Sequence, residues 1–588
     1  MALYQFALLP YATLSFRNKM LQSIITSRSV PPTIQCTAPT TIVSDQTNTS
    51  RRNVNFFQPS IWPHDYIQSL RSDFVEESYA VESDGLQEQV RVMLSKLENP
   101  VDQLEFIDLL QRLGIGAHFR HEIRNLMENI YNNKDTSKKK SNLHATALEF
   151  RILRQHGYDV SSEIFKKFLD HEDHFDARLC VDIKGLLSLY EASFLSMECE
   201  TILDEARDFS SIRLREFGDK NINNEDDETC LLVKHALELP LHWRVSRLEA
   251  RWFIDFYEKR ENMNPTLLKL AKLDFNMVQV SHLEDLKYTS RWWERIGLLK
   301  KMSFTRDRLV ENFFWTVGYN YEPQLGHYRR VLTKVNALIT AIDDVYDVYG
   351  KLEELELFTD VVDRWDVNAM DILPDYMKIC FLALFNFVHE EAFEFLKENG
   401  HDVIPLLKKM WADLCKAYMV EAKWFYSNYK PSLHDYLENA WISSSGPVIL
   451  VHSYLLLQNS TTKEDLFYFQ EYSDIIRFSS IILRLTDDLG SSQREKETGD
   501  VAKAIECYMN ETGASEAVAR RHIDCLIWET WKKMNKEASN CPDPKSFIEV
   551  ARNLARVSHC MYEHGDGHSI QAPQIKNRIM SLLFHPVV

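Results

Sequence analysis

From Trp62 to the C-terminus, nearly every long segment repeats apolar residues at three- and four-residue intervals, and no sustained period-two alternation appears. That pattern commits a chain to amphipathic helices, because side chains three and four apart share a helix face. Leu104, Ile107, Leu110 and Leu113 form one such stripe; Leu148, Phe150, Ile152 and Leu153 form another; Ile183, Leu186, Leu187 and Tyr190 form a third. With 17 Gly and 18 Pro among 588 residues, breakers are too few for a loop-rich or collagen-like chain. The expected fold class is all-α, without a solenoid repeat.

The formal charge of −18 argues against a nucleic-acid surface, which would gather positive charge to release counterions. It leaves room for an anionic small ligand bridged by metal ions. Ten cysteines from Cys36 to Cys560 show no C-x-x-C spacing, so neither a zinc knuckle nor a redox motif is expected, and a reducing compartment fits. No apolar run is read as approaching the ~18 to 20 residues that cross a bilayer, so no membrane insertion is expected. Residues 1–50 differ in kind: Arg17, Lys19 and Arg28 against the single acid Asp45, with fourteen Ser or Thr, is the profile of a plastid transit peptide. Two polar runs, 132–141 (NNKDTSKKKS) and 218–229 (GDKNINNEDDET), are expected as exposed loops. A new amphipathic helix begins at Asn264-Pro265, and the domain boundary is placed there, giving segments 1–50, 51–263 and 264–588.

Residues 328–349 (YRRVLTKVNALITAIDDVYDVY) predict a helix stopped by Gly350. At ~100° per residue, Asp343 and Asp347 project ~40° apart, one turn from each other. Like charges so placed near a helix C-terminus repel each other and oppose the macrodipole, so a cation is called for. Taken alone, D-D-x-x-D also fits a solvated acidic helix end. Residues 481–495 (IILRLTDDLGSSQRE) change that balance, because Asp487, Ser491 and Glu495 recur at i, i+4 and i+8 and fall within ~80° on a helix. Two oxygen-only sets suit Mg²⁺ rather than Zn²⁺. Gly490 within the second set permits a close backbone approach. Arg306, Arg308, Arg484 and Lys503 lie beside the two sets, and guanidinium groups with metal ions are what a diphosphate leaving group requires.

IDDVYDVYG, RDRLVENFFW and LTDDLGSSQRE resemble, in order, three motifs of plant class I terpene synthases. HATALEFRILRQHGYDV, KHALELPLHWRVSRLEARWFIDFYEKR, SRWWERIGL and MYEHGDGH are also similar to family segments, so the likeness spans nearly the whole chain. The pair Arg51-Arg52 with downstream Trp62 resembles the monoterpene synthase branch, although nine residues rather than the usual eight separate Arg52 from Trp62. The resemblance implies an N-terminal α-barrel, degenerate and without class II chemistry, and a C-terminal helical bundle that holds the site. It implies three Mg²⁺, with Mn²⁺ as a substitute, held by Asp343, Asp347, Asp487, Ser491 and Glu495, with Asp344 as a supporting member of the metal set. It places Arg306, Arg484 and Lys503 on the diphosphate with the metal-binding aspartates, Arg51, Arg52 and Arg308 at the closing rim, and Trp315 on the cavity wall.

The implied reaction is ionisation of geranyl diphosphate in the plastid stroma by a monomer or weak homodimer, with a cyclic product requiring recapture as the linalyl isomer. His568 or the departing diphosphate would take the final proton, with Tyr562 and Asp566 lining the same segment. Asn336, two turns before Asp343, either steers a water to the cation or bonds a helix backbone. Rivals are a sesquiterpene synthase using farnesyl diphosphate, a five-carbon synthase, a chain-elongating prenyltransferase, which would carry a second D-D-x-x-D, and a non-catalytic helical scaffold.

Overall fold

The computed structural model describes residues 57–588 except 76, 133–141, 222–226, 459–468, 499–500, 542 and 570–571, and side chains at 470 and 494–498 also fall outside the description. The expectations for the leader 1–50, for Arg51 and Arg52, for most of the run 132–141 and for the Glu495 carboxylate lie outside the described residues. Among the described residues every regular element is helical, with one isolated bridge between Leu169 and Phe175. The fold is all-α. The three stripes read from sequence face inward: Leu104, Ile107, Leu110, Leu113, Leu148, Phe150, Ile152, Leu153, Leu186 and Tyr190 are all buried. Of the acidic run only the ends are described: the helix Thr201–Lys220 absorbs its start, and Asp227 caps the helix Glu228–Glu238, accepting from Cys230 N at 2.8 Å.

The helix Pro265–Ile296 begins where Asn264-Pro265 predicts a start. The Asn264 side chain accepts from Thr266 N at 2.9 Å and from Leu267 N at 3.3 Å, and Pro265 sits where its missing N–H is harmless. Gly297, at φ 64°, ends it in the left-handed conformation. This long helix packs against Glu77–Ser95 on one side and Gly326–Asp344 on another. One apolar core therefore runs from Trp62 to Val587 across position 264. Two smaller clusters, around Phe150 and Phe165 and around Tyr190 and Phe194, stabilise the N-terminal helices.

The expectation that no apolar run approaches membrane-spanning length requires correction. Leu433–Leu457 passes that test by length and composition, yet 83% of its most apolar window is buried within the protein. Ser445, at φ 66°, breaks it into Leu433–Ser443 and Gly446–Leu457. The break lets Gly446 lie against the helix Asp474–Thr498 so closely that a Cβ would meet Ser480. Its hydropathy is that of a core helix, because burial in protein and burial in lipid select the same residues.

Candidate active site

The helix Gly326–Asp344 is buried over almost its whole length, yet Thr333, Asn336, Thr340 and Asp343 recur on it at three- and four-residue intervals. They make a polar seam on one face of an otherwise apolar helix. After Asp344 the backbone widens into a π-turn, Val345–Tyr349, that carries Asp347. An i→i+5 turn advances fewer degrees per residue than an α-turn, so Asp347 comes round less far than an ideal helix predicts and stays with Asp343. Gly350 ends the element as expected, in extended backbone at φ −66°. It is glycine for lack of space: a Cβ would stand 2.5 Å from Leu355 Cδ2 and 2.7 Å from Val345 O.

Arg306 binds the aspartates from the loop before the helix Leu309–Tyr319. Its backbone N–H donates to Asp344 Oδ2 at 2.7 Å, its Nε lies 2.8 Å from Asp344 Oδ1, and its guanidinium also pairs with Asp343 and donates to Ser569 Oγ at 2.8 Å. Asp344 is thus spent on Arg306 and is fully buried, which places it behind Asp343 and Asp347. Burial and the Asp347 carboxylate push Asp343 up to about 6, against the pull of Arg306. Burial pushes Asp344 up to about 7, with Arg306 again opposing.

The helix Asp474–Thr498 carries the second set. Ser491 is buried one turn after Asp487, donating to Asp487 O at 2.8 Å. Arg484 Nη1 donates to Asp487 Oδ2 at 3.1 Å and lies 3.5 Å from Asp488 Oδ1. Burial raises Asp487 to about 7 while Arg484 opposes the rise. Arg484 also opposes the rise at Asp343, and Tyr418 feels Asp343, Asp347 and Arg484 together. The two carboxylate sets therefore lie within electrostatic reach of one another. Gly490 touches the backbone of the neighbouring helix Lys545–Tyr562, the close approach its position suggests: a Cβ would stand 2.7 Å from Tyr562 O. Lys503, buried at the start of Ala504–Thr512, pairs with Glu421 at 3.2 Å.

Aromatic and hydroxyl side chains stand near the sets, and Tyr562 feels Asp487, Arg484 and Arg306 together. The Trp315 ring is 6.1 Å from Tyr562 and 6.2 Å from Tyr319. Asn336 Nδ2 donates to Asn312 O at 3.3 Å and to Tyr319 OH at 3.4 Å, while its Oδ1 is buried without a partner. His568 Nε2 lies 3.4 Å from Thr340 Oγ1, and its buried Nδ1 has no partner. Burial, aided by Arg306, drops the His568 pKa to about 3, so the ring is neutral. Arg308, 1% exposed, donates to the carbonyls of Gln58, Asp307, His568 and Ser569. It stitches the N-terminal segment to the loop after Tyr562, and Phe57 covers Arg306 with its ring centroid 5.0 Å from the guanidinium carbon. Trp62 Nε1 fastens the same segment to Glu311 at 3.2 Å.

The donors fit a hard divalent cation. They are oxygen atoms only, Asp343 and Asp347 repel each other, and burial disfavours the charge on Asp343 and Asp487 until a cation compensates. Asp343, Asp347, Asp487 and Ser491 are the residues that could hold it. Three participants escaped the sequence reading: Glu421, Asp488 and Tyr436, whose hydroxyl donates to both Asp488 oxygens at 3.0 and 2.8 Å.

Residues 294–533 match the metal binding domain of the terpene synthase family, and residues 61–237 match the terpene synthase N-terminal domain. The chain is 57% identical over 540 residues to a (−)-alpha-terpineol synthase of Vitis vinifera, covering 91% of each chain. It is 54% identical over 597 residues to a chloroplastic myrcene synthase of Quercus ilex, covering 100% of this chain and 98% of that one. Among solved structures it resembles a limonene synthase with 2-fluorolinalyl diphosphate, with a TM-score of 0.88 at 45% identity over 92% of this chain and 100% of the other. It also resembles isoprene synthase from grey poplar leaves (Populus x canescens) in complex with three Mg²⁺ ions and dimethylallyl-S-thiolodiphosphate, with a TM-score of 0.83 at 45% identity over 90% and 99% of the two chains. With both family domains matched in order, and with two acidic sets within electrostatic reach of one another inside the second, the chain belongs to the terpene synthase family.

Proposed function

We infer that the chain is a monoterpene synthase of the plastid, a lyase that releases diphosphate from geranyl diphosphate. The observation that carries this is that Asp343 and Asp347 lie within electrostatic reach of the set Asp487 and Ser491, with Trp315 and Tyr562 nearby and Arg306 and Arg484 beside the carboxylates. The ten-carbon substrate is supported by relatives named for monoterpenes, and the plastid by the chloroplastic relatives and the composition of residues 1–50. Bound Mg²⁺, three ions in our reading with Mn²⁺ as a substitute, supplies positive charge for the departing diphosphate.

Arg306 and Arg484 hold bidentate guanidinium donors at the phosphate end. Lys503 adds a point charge, and Arg308 closes the rim. The allylic cation then lies against Trp315 and Tyr562, whose faces attract it by ~2 kcal/mol or more without trapping it as a nucleophile would. Direct ring closure is blocked by the trans C2–C3 bond, so a cyclic product requires return of diphosphate to C3, rotation and a second ionisation. The cation ends by losing a proton or by taking water. His568 can accept that proton although its conjugate acid titrates near 3, because a carbocation is a far stronger acid. The unpartnered Asn336 Oδ1 is a free acceptor for a water on the cavity wall, which favours an alcohol in the product mixture.

The test incubates the full chain with geranyl, farnesyl or dimethylallyl diphosphate and Mg²⁺ and identifies volatiles by gas chromatography. Monoterpenes from geranyl diphosphate are expected, with loss of turnover in the Asp343→Ala, Asp347→Ala double variant and a lower alcohol fraction in Asn336→Ala. Turnover of farnesyl diphosphate alone would refute the substrate, and undiminished volatiles from the double variant would refute the mechanism.

A further inference from the structure

The helix Ile404–Ser427 carries no motif residue, yet it places a carboxylate, Glu421, 5% exposed, at the edge of the site. A buried carboxylate stays charged only when paired, and both Glu421 oxygens are. Oε2 accepts from Lys503 Nζ at 3.2 Å, while Oε1 accepts from the Ser443 hydroxyl and from Asn439 Nδ2 at 3.4 Å. Burial works against its charge, but Lys503 and Arg484 hold its pKa below the ordinary carboxylate value, so it is an anion at neutral pH.

Among the described residues, two contacts hold Lys503 and the peptide after it. Glu421 binds its ammonium, and the next amide, Ala504 N, donates to Asp488 Oδ2 at 3.1 Å, pinning the backbone to the helix that bears Asp487. The Lys503 charge reaches Asp487 and Asp488, where it opposes the rise in their pKa. A lysine is a point charge on a flexible four-carbon stem, so its value to a phosphate depends on what sets its position. Ordering it in advance removes an entropic cost from each turnover.

We propose that Glu421 is a positioning residue for diphosphate: it holds the Lys503 ammonium beside Asp487 and Arg484, so that the leaving group meets a cation already in place. The proposal rests on the diphosphate-releasing reading given above. It assigns Ser443 and Asn439 the task of orienting Glu421, and Asp488 with Tyr436 the task of fixing the peptide that follows Lys503.

The test measures kcat and KM for geranyl diphosphate, together with inhibition by inorganic diphosphate in Mg²⁺, for the full chain and for E421Q, E421D, K503M and E421Q/K503M. E421Q and K503M should each raise the inhibition constant of diphosphate by about tenfold or more, as loss of a charged hydrogen bond does. The double variant should be no worse than K503M alone, and E421D, which keeps the charge, should recover part of the loss. S443A, which removes one hydroxyl, should show the same coupling to K503M in smaller degree, and it serves if E421Q does not fold. Additive losses in the double variant would overturn the proposal. So would a fall in kcat for E421Q with diphosphate inhibition unchanged, the signature of a merely structural role. If the wild-type chain turned over only farnesyl diphosphate, the substrate reading would fail while the inorganic diphosphate cycle still decided this one.

Discussion

Gly490 stands between Asp487 and Ser491, and replacing it with alanine tests whether the second ligand set depends on a backbone contact. A Cβ at 490 would lie 2.7 Å from Tyr562 O, 2.9 Å from Tyr562 Cβ and 3.2 Å from Gly565 O. Two of these are carbonyl oxygens, which no side-chain rotation can move. Restoring the nearest contact to ordinary van der Waals distance requires the helix Asp474–Thr498 to withdraw by about 0.7 Å from Lys545–Tyr562. Overpacking of this kind costs ~1 to 3 kcal/mol, and the helix propensity of alanine offsets about 1 kcal/mol. The net loss of stability is therefore small, ~0 to 2 kcal/mol by the same magnitudes. Activity is more sensitive, because a displacement approaching 1 Å at reacting groups costs up to ~100-fold. Gly490→Ala should lower kcat/KM by roughly 10- to 100-fold and raise the Mg²⁺ concentration for half-maximal rate, while the thermal midpoint falls little. Gly85→Ala is the matched control. Gly85 lies in the helix Glu77–Ser95 with nothing within 4 Å of its added Cβ, so the same substitution should stabilise by about 0.5 to 1 kcal/mol and leave turnover alone. Wild-type kcat/KM and Mg²⁺ dependence in Gly490→Ala would refute the reasoning.

Mg²⁺ with inorganic diphosphate should raise the thermal midpoint more than either does singly, because each compensates charge that the other leaves exposed; at 100-fold excess over Kd the gain is ~2.7 kcal/mol, and equal shifts with metal alone would contradict a shared site. Glu249 predicts acid sensitivity in the N-terminal helices. Burial opposes its charge, but Arg112 at 2.8 Å and His235 at 2.7 Å hold its pKa well below the ordinary 4.5. A depressed folded pKa stabilises fully above the unfolded value and is lost as pH falls below it. Unfolding of Glu249→Gln should thus show a deficit of ~3 to 5 kcal/mol at pH 7 that narrows below pH 4.5, and a deficit independent of pH would count against it.

Half of the site was legible because its groups sit on single helices. Asp343 with Asp347, and Asp487 with Ser491, declare themselves by three- and four-residue spacing, and so does the start of Pro265–Ile296 at its Asn-Pro cap. The π-turn at Val345–Tyr349 was not legible, because widening one turn leaves no mark on residue types. Nor were the pairings that unite distant segments, such as Arg308 with Gln58 or Lys503 with Glu421, since contacts across a bundle have no period along the chain. One trace was available. Leu407, Trp411, Leu414 and Tyr418 form the buried stripe of Ile404–Ser427, and Glu421 is the next position in that stripe. A carboxylate in phase with a core stripe is not a solvated charge, because the helix geometry that buries its neighbours buries it too. Such a residue must have a cation waiting. The same test picks out Asn336 and Asp343 on Gly326–Asp344, whose polar seam lies among buried residues. Polar groups in phase with the core thus locate interior chemistry without reference to any motif, and here they lead to the first acidic helix and to the residue that holds Lys503.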